Sequence, residues 1–241
     1  MNSRKYLEER RQKRVRQNRF LGLMIGGGVL LVFAAVVYAI VTSSRVNLPA
    51  RLIVEPEFTE IEQFDISSLG EPQAPVVIEE FSDFSCSHCA DFALETKKLI
   101  EENYINSGQA SLVFSTVGNL AGSPALQQSI EGAYCAGEQG SFWQFHDLIF
   151  ANQIRLFTNR AADVSRTMVS FAEILELDQI DFEICLEEEK YQALVLENQQ
   201  RASQLGVSGT PTFFINGVMV RGNQPFESFQ QVIEEALAAG N

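Results

Sequence analysis

Apolar positions along the chain change period several times, and each change marks an element. Residues 76–81 form a short apolar run bounded by Pro75 and a Ser82–Asp83 break, which predicts a buried strand. Residues 86–103 carry partial helical spacing at Ala90, Ala93, Leu94, Lys97 and Ile100, and Asn106-Ser107-Gly108 ends them. Residues 110–117, centred on Leu112, Val113 and Phe114, predict a second strand. Strand, helix and strand so closely spaced predict a right-handed crossover with a parallel strand pair.

Residues 119–206 are helical in pattern. Ser123-Pro124 places a proline in a first turn before a helix through Ala136. Residues 141–151 hold Phe142, Trp143, Phe145, Leu148, Ile149 and Phe150, and helical stretches follow at 162–177 and 182–205. The aromatics read as core packing. His146 reads as a structural or surface residue, not a ligand. Strands return at 212–215 and 218–221 around Asn216-Gly217, the dipeptide of a type I′ hairpin. A final amphipathic helix spans 225–239, with Phe226, Phe229, Val232, Ile233 and Leu237 on one face. The order predicts one α/β domain from residues 76–118 and 207–241, interrupted by an all-helical insertion at 119–206.

Upstream, the pattern changes in kind. Residues 42–75 contain Pro49, Pro56, Pro72 and Pro75, several acids and little periodicity, and read as a linker and lead-in, with Ile61 to Leu69 a candidate to dock on the body. Residues 20–41 are 22 residues without a charged side chain, long enough as a helix to cross a hydrocarbon core of about 30 Å. Residues 1–19 carry eight basic against two acidic side chains, or +6, so the remaining chain carries −19 of the net −13. A basic tail before an apolar run predicts a single transmembrane anchor with a cytoplasmic N-terminus and an extracytoplasmic body. A cleaved signal peptide is the alternative, although the run is long for one and Val37-Tyr38-Ala39 is a poor cleavage site. Both export the body to a compartment where disulfides persist. The acidic body argues against nucleic-acid binding.

Cys86-Ser87-His88-Cys89 opens the first helix. Unpaired N–H groups and the positive end of the helix dipole lie near the first sulfur and favour its thiolate, the reactive form. Cys86 is then the exposed nucleophile and Cys89 the buried resolving thiol. A protonated or N–H-donating His88 imidazole adds to this stabilisation, or else it is simply solvated. A zinc site needs two more ligands, and no second Cys-x-x-Cys exists, so neither metal nor cofactor is expected. Alone, Thr210-Pro211 reads as a turn before a strand, and Glu80 as a strand residue either exposed or buried.

The segment 81–89, Phe-Ser-Asp-Phe-Ser-Cys-Ser-His-Cys, resembles the active-site segment of the DsbA/BdbD family of thiol:disulfide oxidoreductases. Residues 206–217, Gly-Val-Ser-Gly-Thr-Pro-Thr-Phe-Phe-Ile-Asn-Gly, resemble that family's second signature. The resemblance covers roughly residues 72–240. It implies a thioredoxin-like fold with a helical insertion, a cis Pro211 opposite the cysteines, and Thr210 backbone beside Cys86. It also implies that Glu80 is the buried acid that shuttles the Cys89 proton, and Asp83 is similar to an acid of the BdbD-like branch. Ser87 departs from the proline that follows the first cysteine in DsbA itself. An even cysteine count in an exported protein favours a structural Cys135–Cys185 disulfide, and some anchored relatives carry such a pair. Two free thiols and a redox relay are the alternatives. By resemblance the protein oxidises exported substrates with free cysteines and is reoxidised by a quinone-coupled membrane partner of the DsbB or VKOR type. A reductase or isomerase on the same scaffold, and a membrane-tethered binding or chaperone module with a static disulfide, are the rival functions.

Overall fold

The computed structural model describes residues 53–118, 123–158 and 163–240, together with residues 32 and 35. The chain divides into units 1–48 and 49–241, and all that follows belongs to the second. The predicted basic tail at 1–19 and membrane helix at 20–41 lie outside the described residues, apart from the two isolated positions. Among the described residues, no helix is long and apolar enough to cross a membrane.

Among the described residues, six strands form one sheet in the order β1-β2-β4-β3-β5-β6. They are β1 Gln63–Asp65, β2 Ser68–Gly70, β3 Val76–Ser82, β4 Ala110–Thr116, β5 Thr212–Ile215 and β6 Val218–Arg221. β3 is central. It pairs parallel with β4 from Val76↔Ala110 to Ser82↔Thr116 and antiparallel with β5 from Ile78↔Ile215 to Phe81↔Thr212. Both faces of β3 are covered, so its near-continuous apolar run is the pattern a doubly buried strand needs. The β5–β6 turn has Asn216 at φ 45° and Gly217 at φ 89°, the two left-handed positions of a type I′ turn. The Asn216 amide ties this turn to β3, accepting from Val77 N at 2.8 Å and donating to the Pro75 carbonyl at 2.9 Å.

Part of the lead-in joins the sheet. β1 and β2 form a hairpin that extends the sheet, with Ser68, Leu69 and Gly70 opposite Val113, Leu112 and Ser111 of β4. Leu69 is fully buried. Three-residue strands are too short to show a period, which is why the sequence pattern missed them. Gly70, at φ 97°, is required here: a Cβ would sit 2.6 Å from Ile105 Cγ2.

Helix α1 runs over residues 87–105, with α-helical Ser87–Asp91 and Lys97–Ile100 alternating with π-helical Phe92–Thr96 and Glu101–Ile105. The insertion contains α2 Pro124–Glu138, α3 Phe142–Ala151, α4 Gln153–Thr158, α5 Val164–Ile174, α6 Gln179–Glu188 and α7 Gln192–Gln204, and α8 Phe226–Ala239 closes the fold. Ser123 caps α2 by accepting from Leu126 N, and Asp178 caps α6 by accepting from Ile180 N and Asp181 N. The single helix expected over 182–205 is two, broken at Glu189, which adopts a left-handed φ of 48°. The break lets Tyr191 N donate to the Glu131 carboxylate, and the Tyr191 ring stacks on Tyr134 with centroids 4.9 Å apart. Cys135 of α2 and Cys185 of α6 are disulfide-bonded, with Cα atoms 5.8 Å apart. One continuous core joins the sheet to the insertion, with Phe84, Phe114, Phe142, Trp143 and Phe150 packed around a fully buried His146.

Candidate active site at the Cys-x-x-Cys

The chain turns from β3 into α1 over Asp83, Phe84 and Ser85. Asp83 shapes the turn: its Oδ1 accepts from Ser85 N and Ser85 Oγ, each at 2.8 Å, and its carbonyl accepts from Cys86 N at 2.9 Å. Cys86 occupies the N-cap of α1 with extended backbone (φ −84°, ψ 123°). Its thiol is half-buried, Ser87 and His88 are exposed, and Cys89 is fully buried. Both cysteines are free thiols. On the other side the Thr210–Pro211 bond is cis, and the Cys86 thiol donates to the Thr210 carbonyl at 3.4 Å.

The two sulfurs have opposite acidities. A hydrogen bond from Cys89 lowers the Cys86 pKa from 9.0 to about 5, against an opposing cost of burial; the Thr210 side chain and the backbone N–H groups of Cys89 and His88 reinforce it. Burial pushes Cys89 far above the usual thiol range, and its bond to Cys86 and the charge of Glu80 add to this. The pair therefore holds one thiolate and one firmly protonated thiol.

His88 turns its side chain to solvent. Its side chain is 74% exposed and its Nδ1 lies 3.6 Å from Asp91 Oδ2. What it gives Cys86 is its backbone N–H. In the first turn of a helix the N–H groups point along the axis toward the N-cap, whereas side chains radiate outward.

Glu80 is fully buried in β3, and neither carboxyl oxygen has a well-formed hydrogen bond. Burial raises its pKa from 4.5 to about 8, and the Ser82 hydroxyl and Lys97 offset this only in part. The sequence pattern left Lys97 as one helical position of α1, but it anchors a buried charge cluster. Its Nζ, 1% exposed at the side chain, donates to Glu101 Oε1 at 2.8 Å and Asp147 Oδ2 at 3.1 Å. Asp147 Oδ1 in turn meets His146 Nδ1 at 2.8 Å. Burial opposes the charge on Asp147, but Lys97 and His146 hold its carboxyl below the usual carboxylate range. A signal for this existed: a lysine within the apolar stripe of α1 with a glutamate four residues on. On the opposite face of β3, Glu79 is held by a two-point ion pair with Arg201 of α7 and accepts from Ser115 Oγ at 3.1 Å. Gln153 of α4 also reaches the site, donating to the Phe84 carbonyl at 2.9 Å and the Cys86 carbonyl at 2.8 Å. Nothing in the sequence marks that glutamine. Cys135 and Cys185 sit apart from this site, in the insertion. Among the described residues, no group of three or more His, Cys, Asp or Glu is arranged to hold a metal ion.

A strand–turn–helix thiol pair facing a cis-proline loop, on a sheet with a helical insertion, defines a class of protein. The thioredoxin family model matches residues 65–235, and the chain belongs to that family. The chain is 25% identical over 217 residues to the probable disulfide bond formation protein D of Bacillus anthracis, covering 90% of this chain and 95% of that one. It is 31% identical over 170 residues to Na(+)/H(+) antiporter NhaA 3 of Salinispora tropica, covering 70% of this chain. The chain spans only about a quarter, 24%, of that relative's length. The oxidised crystal structure of BdbD from Bacillus subtilis shares the fold with a TM-score of 0.63 at 19% identity, over 76% of this chain and 99% of that chain. Wolbachia pipientis alpha-DsbA1 does so with a TM-score of 0.62 at 21% identity, over 79% and 96%.

Proposed function

We propose that this protein is an extracytoplasmic thiol:disulfide oxidoreductase that introduces disulfides into exported proteins, held at the cell membrane by residues 20–41. The observation that carries this reading is the unequal thiol pair, with an acidic, accessible Cys86 beside the Thr210 carbonyl and a buried, protonated Cys89. Stabilising the thiolate favours the reduced protein, which makes the Cys86–Cys89 disulfide a stronger oxidant.

The reaction balances as two exchanges. A client thiolate attacks Cys86 Sγ, the Cys86–Cys89 bond breaks, and Cys89 leaves and takes a proton. Glu80, the buried acid that interacts with Cys89, is the group suited to supply it. A second client thiolate then attacks the client sulfur of the mixed disulfide, and Cys86 leaves as a stabilised thiolate. The client loses two electrons and two protons, and the cysteine pair gains the electrons. Backbone beside Cys86 at Thr210 suits an extended client segment. A quinone-coupled membrane enzyme of the DsbB or VKOR type is the partner that removes the electrons, and a shared membrane raises the effective concentration of the two. Ser87, the exposed residue between the two N–H donors and Cys86, is positioned to tune the potential.

The test is the redox equilibrium of the protein with glutathione, combined with client oxidation by variants. An oxidase has a potential well above the roughly −270 mV of thioredoxin; a value near thioredoxin's makes this a reductase or isomerase. Cys86→Ala stops disulfide formation in exported clients, and Cys89→Ser accumulates mixed disulfides. Normal client oxidation by Cys86→Ala leaves a static binding module instead.

A further inference from the structure

The turn that carries Cys86 is also gripped from the insertion. α4 follows α3 after a single residue, Asn152, and two successive side-chain amides at this junction bond to backbone. Asn152, 4% exposed, accepts from Val54 N at 2.9 Å and donates to the carbonyls of Val54 and Leu148, each at 2.8 Å. Those bonds use both amide hydrogens and the oxygen, so the start of α4 cannot swing freely. The next residue, Gln153, reaches the other way. Its two amide hydrogens go to the carbonyls of Phe84 and Cys86, two residues apart on the same turn.

We propose that Gln153 is a positioning residue for the redox centre: its clamp on the Phe84 and Cys86 carbonyls holds the strand-to-helix turn so that the His88 and Cys89 N–H groups aim at the Cys86 sulfur. Two features of the site lead there. Among the described residues, the other bond recorded to the Cys86 carbonyl is that from Ala90 N at 3.2 Å. The N–H donors of Cys89 and His88 are among the groups that favour the Cys86 thiolate, and a hydrogen bond to sulfur weakens steeply when its angle opens. A rotation of the peptide after Cys86 changes those angles, and the Gln153 clamp opposes that rotation.

The inference rests on Cys86 being the reactive thiol, and its test uses the thiols alone, so it stands or falls separately from the oxidase reading. The ultraviolet absorbance of the Cys86 thiolate is titrated in the reduced full-length protein, with thermal unfolding of each variant as a check on the fold. Gln153→Met keeps the length and removes the donors, Gln153→Ala removes both length and donors, and Gln153→His keeps a donor at the same reach. In Met and Ala variants the titration is expected to rise by about one unit and the equilibrium with glutathione to weaken about tenfold. The His variant is expected to stay close to the natural protein. A Met or Ala variant that folds and titrates like the natural protein overturns the proposal, whatever happens to its thermal stability. So does a His variant shifted as far as the Met variant.

Discussion

The Cys86 thiol donates to the Thr210 carbonyl over 3.4 Å, a contact between residues 124 apart in sequence. It places the reactive sulfur of α1 against the backbone that leads into β5. The Thr210 side chain also helps hold the Cys86 pKa at about 5, after the larger contribution of Cys89. In the unfolded chain this thiol titrates near 9.0. The stability it lends to the reduced fold is therefore fully present above about pH 9 and lost as the pH falls toward about 5. The oxidised protein has no such ionisation. The denaturant midpoint of the reduced protein should thus exceed that of the oxidised protein by less at pH 5 than at pH 8, and Thr210→Val should narrow the gap at pH 8.

Glu80 has the opposite sign. Its folded pKa is raised to about 8 from 4.5, chiefly by burial. Between those values the unfolded chain ionises while the folded protein keeps the proton, so stability is lost as the pH rises through this window. Glu80→Gln removes the loss. Urea unfolding should show the variant gaining on the natural protein from pH 4.5 upward, by on the order of a few kcal/mol at pH 8. Slower client exchange by the same variant follows if Glu80 supplies the Cys89 proton.

Lys97 stands between two carboxylates, Glu101 and Asp147, that are 7% and 3% exposed. Removing the cation leaves both with less compensation inside the protein. Lys97→Met should cost roughly 3–5 kcal/mol in chemical denaturation at neutral pH. Adding Asp147→Asn to it should cost less than the sum of the two single changes, because the second change removes a charge the first has stranded.

The Cys135–Cys185 bond closes a separation of 50 residues between α2 and α6. Replacing both cysteines with alanine should lower stability by about 4 kcal/mol, from the added freedom of the unfolded chain. Cys86 and Cys89 lie outside that loop, so the glutathione equilibrium of the double variant, measured below its unfolding temperature, should match that of the natural protein. A relay between the two pairs predicts a changed equilibrium.

Much of the fold was legible because its determinants are local. The apolar run of β3, the Asn216-Gly217 turn, Ser123-Pro124 before α2 and the spacing of Cys86 and Cys89 each state their structure within a few residues. The β1–β2 hairpin was not legible, because three residues carry no period and the strands exist through pairing with Leu112 and Val113. The break at Glu189 was hidden inside an unbroken helical pattern, and it is held open by Glu131, 60 residues from Tyr191. Gln153 is one of many glutamines until the insertion folds it onto Phe84 and Cys86.

The amino-acid order by itself determined the elements, the thiol pair at a helix start and the asymmetry of charge, since these follow from period, turn chemistry and composition. Tertiary structure decided the acidities. Whether Glu80 faced water, whether Lys97 had partners, and which part of His88 met the Cys86 sulfur all depended on which atoms the fold removed from solvent. Desolvation and short hydrogen bonds set those pKa values, and both arise only when distant segments close on one another.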